Sequence, residues 1–272
     1  MVVPHVTDTS GPTRLMRREV AARRQEANNG ADGVRLRHAV SVTRRTADPL
    51  ADLEGKVAGA ESGGLDRLRL VEVPFVPEVR LHLAEDAIVW WARMEAEAGT
   101  VLPPPYWASA WPGGQALARY VLDNPDVVTG RRVLDLASGS GLAAIAAGLA
   151  GAATVAANDI DPYALAVIGM NARANDIQVR QAGGDLLDGD GAGVDLVLAG
   201  DVFYRRGLAQ RMLPFLERAA ARGARVLVGD PGRAYLPADR FQVLASYEGS
   251  VSDEVPNAEI SRMDVLQLRL RD

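Results

Sequence analysis

From about Leu70 onward the sequence predicts an α/β fold, a mostly parallel sheet with helices on both faces. Three observations carry the prediction. Strand-type and helix-type segments alternate, a Gly-Ser-Gly turn joins one strand to the helix after it, and aspartates stand at or near the ends of successive strands. In such sheets ligands sit beyond the carboxyl ends of the strands, where the strand order reverses. Function is therefore to be read at those ends.

The elements follow in order. "RLVEVPFVPEVRLHL" alternates well enough for strand pieces, and "EDAIVWWARMEAE" carries apolar residues at helical spacing. "GGQALARYVLDNP" reads as a helix with glycine before it and Asn-Pro after it. Strand and helix then alternate through "RRVLDLA", "GLAAIAAGLAG", "ATVAAND" and "DPYALAVIGMNARAND". "IQVRQAG" and "VDLVLAGD" are strands, "RGLAQRMLPFLERAAARG" a helix and "ARVLVGD" a strand.

The beginning of the chain differs in composition. No Phe, Trp or Tyr occurs before Phe75, and Arg, Ala, Gly and Asp alternate without period. Such a segment buries too little apolar surface to offset its chain entropy. Residues 1–65 are expected to be a variable, poorly ordered tail with at most a short helix over "TRLMRREVAARRQEA", followed by one domain over 66–272. Glu19, Glu26 and Asp32 come too early for an acid-poor transit peptide.

Composition narrows the function classes. With 48% hydrophobic and 24% charged residues the chain suits a globular domain with a sizeable core. The sequence has no cysteine, which removes disulfides, thiolate nucleophiles and Cys-based zinc sites and suits a reducing cytoplasm. The longest apolar run, Leu142 to Ala157, is shorter than a bilayer span and interrupted by Gly148 and Gly151, so no membrane span is expected. A net charge of −5 with Lys56 as the lone lysine gives no nucleic-acid footprint. His5, His38 and His82 are scattered, and no metal is expected.

The strand ends are acidic: Asp135 before "LASGSG", then Asp159, Asp185 and Asp201. Gly139 and Gly141 let backbone approach a ligand at the amino end of the next helix. Gly139 to Ala144 also fits the dinucleotide pattern G-x-G-x-x-A, with Asp159 about 20 residues on for a ribose. A pyrophosphate, however, would meet the carboxylate of Asp135, whereas the ammonium and sulfonium of S-adenosylmethionine would be attracted by it. Asp159 then takes the ribose hydroxyls and Asp185 the adenine amino group. All four tryptophans, Trp90, Trp91, Trp107 and Trp111, lie within 22 residues, the last two just upstream of Pro112-Gly113-Gly114. An indole there supplies cation-π attraction to a sulfonium or an amine; core filling is the competing reading, favoured for Trp90 and Trp91.

"PPYWASAWPGGQALARYVLDNPDVV", "VLDLASGSGLAAIAA", "NDIDP", "GDVFY" and "LVGDPGR" resemble the electron transfer flavoprotein β-subunit lysine methyltransferases, within the seven-strand, Rossmann-like methyltransferase superfamily. The likeness runs from about Phe75 to Arg233. One departure is Ala137, which stands where the superfamily often has a first glycine and asks for a less tight turn. The resemblance implies methyl transfer from S-adenosylmethionine to lysines of the flavoprotein β subunit. It implies that Asp135, Gly139, Gly141 and Asp159 hold the cofactor with Asp185 at the adenine end, that Trp111 and Gln115 join that pocket, and that Asp201, Phe203 and Tyr204 face the incoming amine.

Asp201 is expected to anchor the substrate ammonium, with Phe203 and Tyr204 as a hydrophobic collar. Other substrates fit the same cofactor site: another folded protein such as a ribosomal protein, or a small-molecule amine. A non-catalytic binding module is the reading from another class. A protein-modifying enzyme leaves its active face free, so a monomer is expected.

Overall fold

The computed structural model describes residues 48–58, 67–191, 193–250 and 260–269. The helix expected over "TRLMRREVAARRQEA" lies outside them. The described part opens with helix α1 (Pro49–Ala58), then a two-stranded antiparallel hairpin, β1 (Leu68–Val73) and β2 (Val76–Ala84), and helix α2 (Ala87–Ala98). Asp86 caps α2 by accepting from the Ile88 and Val89 amides, and Gly99 ends it in the left-handed conformation.

The larger sheet follows. Helix α3 (Pro112–Asp123) precedes β3 (Arg132–Leu136), α4 (Leu142–Leu149), β4 (Thr154–Asp159), α5 (Pro162–Ala174) and β5 (Arg180–Gly183). Then come β6 (Leu196–Gly200), α6 (Arg206–Ala221), β7 (Arg225–Asp230), β8 (Phe241–Ser250) and β9 (Ile260–Leu268). The seven strands lie in the order β5-β4-β3-β6-β7-β9-β8. The first five run parallel, and β9 is antiparallel to both β7 and β8. The chain leaves β3 toward β4 and β5 on one side and resumes at β6 on the other, so the order reverses between β3 and β6 and opens a crevice at their carboxyl ends.

The pleat sorts the core into two layers. Val133, Leu196, Leu198 and Leu227 face α3 and α4, while Leu134, Leu136, Val197, Val226 and Val228 face α6 and its Met212, Phe215 and Leu216. The same alternation puts Asp135, Gly200 and Gly229 on the α3/α4 side.

Two features were not read from the sequence. Residues Pro49–Ala58, expected in the tail, form α1, whose fully buried Leu53 packs in a third cluster with Trp90, Trp107 and Val167. Asp52 accepts from the Tyr163 hydroxyl at 3.2 Å, and Lys56 sits over the Trp90 ring, 5.2 Å from its centroid. Folded structure thus extends upstream of residue 66, because one apolar residue per turn suffices when a tryptophan surface awaits it. The antiparallel pair β8 and β9 was also missed; a register shift between Val243 and Ala245 breaks the alternation that would have marked β8.

Candidate active site

The crevice has two ends. At the first, β3 runs into a turn whose Gly139 and Gly141 have φ of 57° and 86°. Ala137 takes φ 54°, so the expected looser turn does not occur. The alanine adopts the conformation a glycine would, at a cost of about 1–2 kcal/mol. Asp135 is 2% exposed and holds the turn to α4: its Oδ2 accepts from the Ser138 hydroxyl and, at 3.1 Å, from the Ala144 amide. Burial, with nearby Asp159 adding to it, pushes this carboxyl up to about 7 against two hydrogen bonds that pull it down. At the end of β4, Asp159 accepts from the Gly139 amide and the Asp161 amide, both at 3.0 Å, and joins the two loops. Beside it Ile160 is 74% exposed, an apolar side chain at a ligand-facing strand end.

At the second end α3 lies backbone against backbone on β6 and β7. A Cβ on Gly113 would stand 2.2 Å from the Gly229 carbonyl oxygen, and one on Gly200 2.9 Å from the Gly114 backbone. The Pro-Gly-Gly that opens α3 is thus a close-approach motif. Trp111, at the N-cap position, makes no side-chain cap for this helix. The cap comes from Asp201, whose Oδ2 accepts from the Gly113 amide at 2.5 Å and the Gly114 amide at 3.3 Å. Its Oδ1 takes two bonds from the Arg233 guanidinium, at 3.0 and 2.5 Å. Burial raises this carboxyl while the guanidinium and the amides act against it. Asp230 in turn accepts from the Gly232 and Arg233 amides and sets the turn that carries Arg233.

These contacts correct two expectations. Asp201 is not a free ammonium anchor, because four N–H donors already engage its carboxylate. Phe203 is not part of a collar: it is fully buried in the α6-side core against Phe241, ring centroids 5.8 Å apart. Of the expected trio only Tyr204 reaches the crevice, half-buried with its ring 5.4 Å from that of Tyr106. Burial and Tyr106 raise its phenol above the ordinary value.

Tyr106 is the centre of an aromatic mouth that links the ends. Its ring lies 5.8 Å from that of Trp111, whose indole N–H donates to the Tyr106 carbonyl at 2.7 Å and whose face meets Arg233 at 5.7 Å. The Tyr106 and Trp107 backbone passes over Gly139. Gln115 is buried and donates to the Ala110 carbonyl at 2.8 Å, closing the loop below Trp111. Trp107 packs instead of facing the crevice, 1% exposed and stacked on Tyr163. Asp185, two residues beyond β5, has its half-exposed carboxylate on Arg211 of α6 at 2.6 Å and on the Leu187 amide at 3.0 Å, which holds it below the usual range, so an adenine amino group would share it with Arg211. Tyr106 and Arg233 lay within recognisable motifs but were assigned no role; Ile160 was marked only by the two aspartates around it.

The profile described as Ribosomal protein L11 methyltransferase (PrmA) matches residues 115–200, from α3 to the end of β6. A Xenopus laevis protein named electron transfer flavoprotein beta subunit lysine methyltransferase is 42% identical over 190 residues, covering 68% of this chain and 76% of the relative. Proteins of the same name from Danio rerio and Homo sapiens are 45% and 44% identical, each over 58% of this chain. The match spans 61% and 60% of those two relatives' own lengths. With this identity and this coverage, the chain belongs to the electron transfer flavoprotein beta subunit lysine methyltransferase family.

Proposed function

We propose that the protein is an S-adenosylmethionine-dependent protein-lysine N-methyltransferase acting on the β subunit of electron transfer flavoprotein. The observation that carries the reading is an acid-lined glycine turn and an aromatic mouth at the same reversal of strand order, in a chain of this family. The donor set fits a cationic adenosine ligand. Among the described residues neither Asp135 nor Asp159 is in an ion pair, and Asp135, raised by burial, gains from a bound cation.

When bound, S-adenosylmethionine supplies a methyl group already activated by its sulfonium. Asp135, Asp159 and the turn of Gly139 and Gly141 would hold it, with Ile160 beside Asp159 offering apolar contact. The protein's remaining task is placement. Tyr106, Trp111 and Tyr204 form a wall that takes the aliphatic part of a lysine side chain and keeps water from its amine. A lysine amine is protonated at neutral pH and must lose that proton before attack; the apolar rings favour the neutral form. Asp201, neutralised by Arg233, shapes this wall through the first turn of α3. We place the enzyme in the cytoplasm as a monomer, a reading supported by the cysteine-free sequence and by the need for an open mouth.

The test is the intact mass of electron transfer flavoprotein from a host lacking the enzyme, before and after incubation with the protein and S-adenosylmethionine. Methyl-sized gains on the β subunit, lost in Asp135→Ala, are expected. No gain, with S-adenosylhomocysteine still bound in calorimetry, would move the substrate to another protein or a small amine. No cofactor binding would sink the reading and favour a non-catalytic module.

A further inference from the structure

Asn171 in the last turn of helix α5 and Asn175 at its C-cap stand one turn apart, and both reach the hairpin edge of β2 that β1 leaves open. Asn175 accepts from the Arg80 amide at 2.9 Å and donates to the Arg80 carbonyl at 2.6 Å. Asn171 accepts from the His82 amide at 2.7 Å, with His82 Nδ1 2.9 Å from the same oxygen. The match is geometric: four residues of helix advance about 6 Å and two residues of strand about 6.7 Å. The two side chains therefore stand in for a missing neighbour strand.

They differ in what else they do. Asn175 Nδ2 also donates to the Asn171 carbonyl, inside its own helix. Asn171 is fully buried, and its Nδ2 donates at 2.8 Å to the carbonyl of Ser140, the middle residue of Gly139-Ser140-Gly141. One turn before it, Ile168 closes on Gly141, where an added Cβ would meet the Ile168 side chain at 3.3 Å. One helix face thus supports the underside of the glycine turn, and Asn171 is the hydrogen bond in that support.

We infer that Asn171 is a positioning residue for the cofactor turn: it fixes the Ser140 carbonyl, and so the direction of the neighbouring peptide planes, by tying them to the β1–β2 hairpin. The physical reason is satisfaction of a buried carbonyl. Without the Nδ2 donor, Ser140 O has to rotate toward another partner, and a turn whose backbone meets the ligand rotates with it. The hairpin, far from the reacting atoms in sequence, becomes part of the cofactor site's framework. The inference rests on the methyl-donor reading above.

Asn175 is the internal control, because it makes the same kind of hairpin clip without touching the turn. The experiment measures S-adenosylhomocysteine binding by calorimetry, and backbone amide exchange across residues 138–142 without ligand, in the full chain and in Asn171→Asp, Asn171→Leu and Asn175→Leu. Asn171→Asp keeps the acceptor for His82 and replaces the donor to Ser140 with an oxygen, so it is informative even if the leucine variant does not fold. Asn171→Asp is expected to bind at least about tenfold more weakly and to exchange faster across the turn. Asn175→Leu is expected to lower Tm while its affinity stays within about twofold of the unmodified protein. Wild-type affinity and exchange in Asn171→Asp, or an equal loss of affinity in Asn175→Leu, would overturn the inference. If the unmodified protein binds no S-adenosylhomocysteine, the methyl-donor reading fails, and the exchange comparison still decides whether Asn171 holds the turn.

Discussion

The two ends of the crevice use one device with opposite electrostatics. At the β3–β4 end Asp135 and Asp159 accept backbone N–H groups to shape the glycine turn, and among the described residues no basic side chain pairs with them. At the β6–β7 end Asp201 accepts two helix amides in the same manner but carries Arg233 as a counterion that donates twice to Oδ1. A buried carboxylate left without a cation is costly; hydrogen bonds and a raised pKa offset part of that cost, and a cationic ligand would favour the ionised form. One already paired has nothing further to offer a ligand. Acidic strand ends therefore divide into binding groups and scaffolding groups by whether the protein supplies the counter-charge.

The sharpest break in the comparison concerns the scaffold end. Gly113→Ala drives a Cβ into the Gly229 backbone, which no rotamer change relieves, and is expected to cost at least about 3 kcal/mol or to abolish folding. Gly114→Ala, with its nearest neighbour 4.0 Å away, is expected to stay within about 1 kcal/mol of the unmodified protein; urea denaturation reads both.

Arg233→Ala leaves Asp201 buried without its counterion. The expected cost is about 3 kcal/mol, partly recovered in the double variant with Asp201→Asn, and a double-mutant cycle on denaturation midpoints checks it. At the ligand end the expectation reverses. Asp135→Asn keeps the fold and weakens S-adenosylhomocysteine by about two orders of magnitude, or about 2.7 kcal/mol, in calorimetry.

The pH dependence follows with the same sign logic. The Asp135 carboxyl rises from 3.8 to about 7 in the folded protein, so the native state holds that proton more tightly than the unfolded chain. Its contribution to stability is complete below about pH 4 and is lost as pH climbs to about 7. The Tm of Asp135→Asn minus that of the parent is expected to grow across that window, and a flat difference would refute the assignment. Ligand affinity is expected to strengthen over the same window as the carboxyl ionises. The smallest effect is at the turn itself. Ala137→Gly relieves a left-handed alanine and is expected to add up to about 1 kcal/mol in thermal unfolding, offset in part by chain entropy.

Much of this was legible in the residues. The alternating apolar segments, the glycine turn and the acids at the ends of β3 and β4 are local patterns, and each lies where the sequence pattern placed it. The motif text around Trp111, Asp201 and Arg233 was equally visible, but its meaning was not. Asp201 and Gly113 are 88 residues apart, and only their meeting shows that the carboxylate caps a helix instead of facing an amine. Phe203 shows the same limit, since strand alternation beyond β6 could have turned it either way. Asn171 gave no signal, because an asparagine in a helix ordinarily reads as surface.

The sequence alone determined the fold class and where the acids fall along it, since these depend on spacing along the chain and on residue type. The tertiary structure decided which carboxylates are free and which are spent. That depends on backbone N–H donors and a guanidinium brought from distant segments, and every residue but proline carries the same backbone donor, so no residue code announces where it will point.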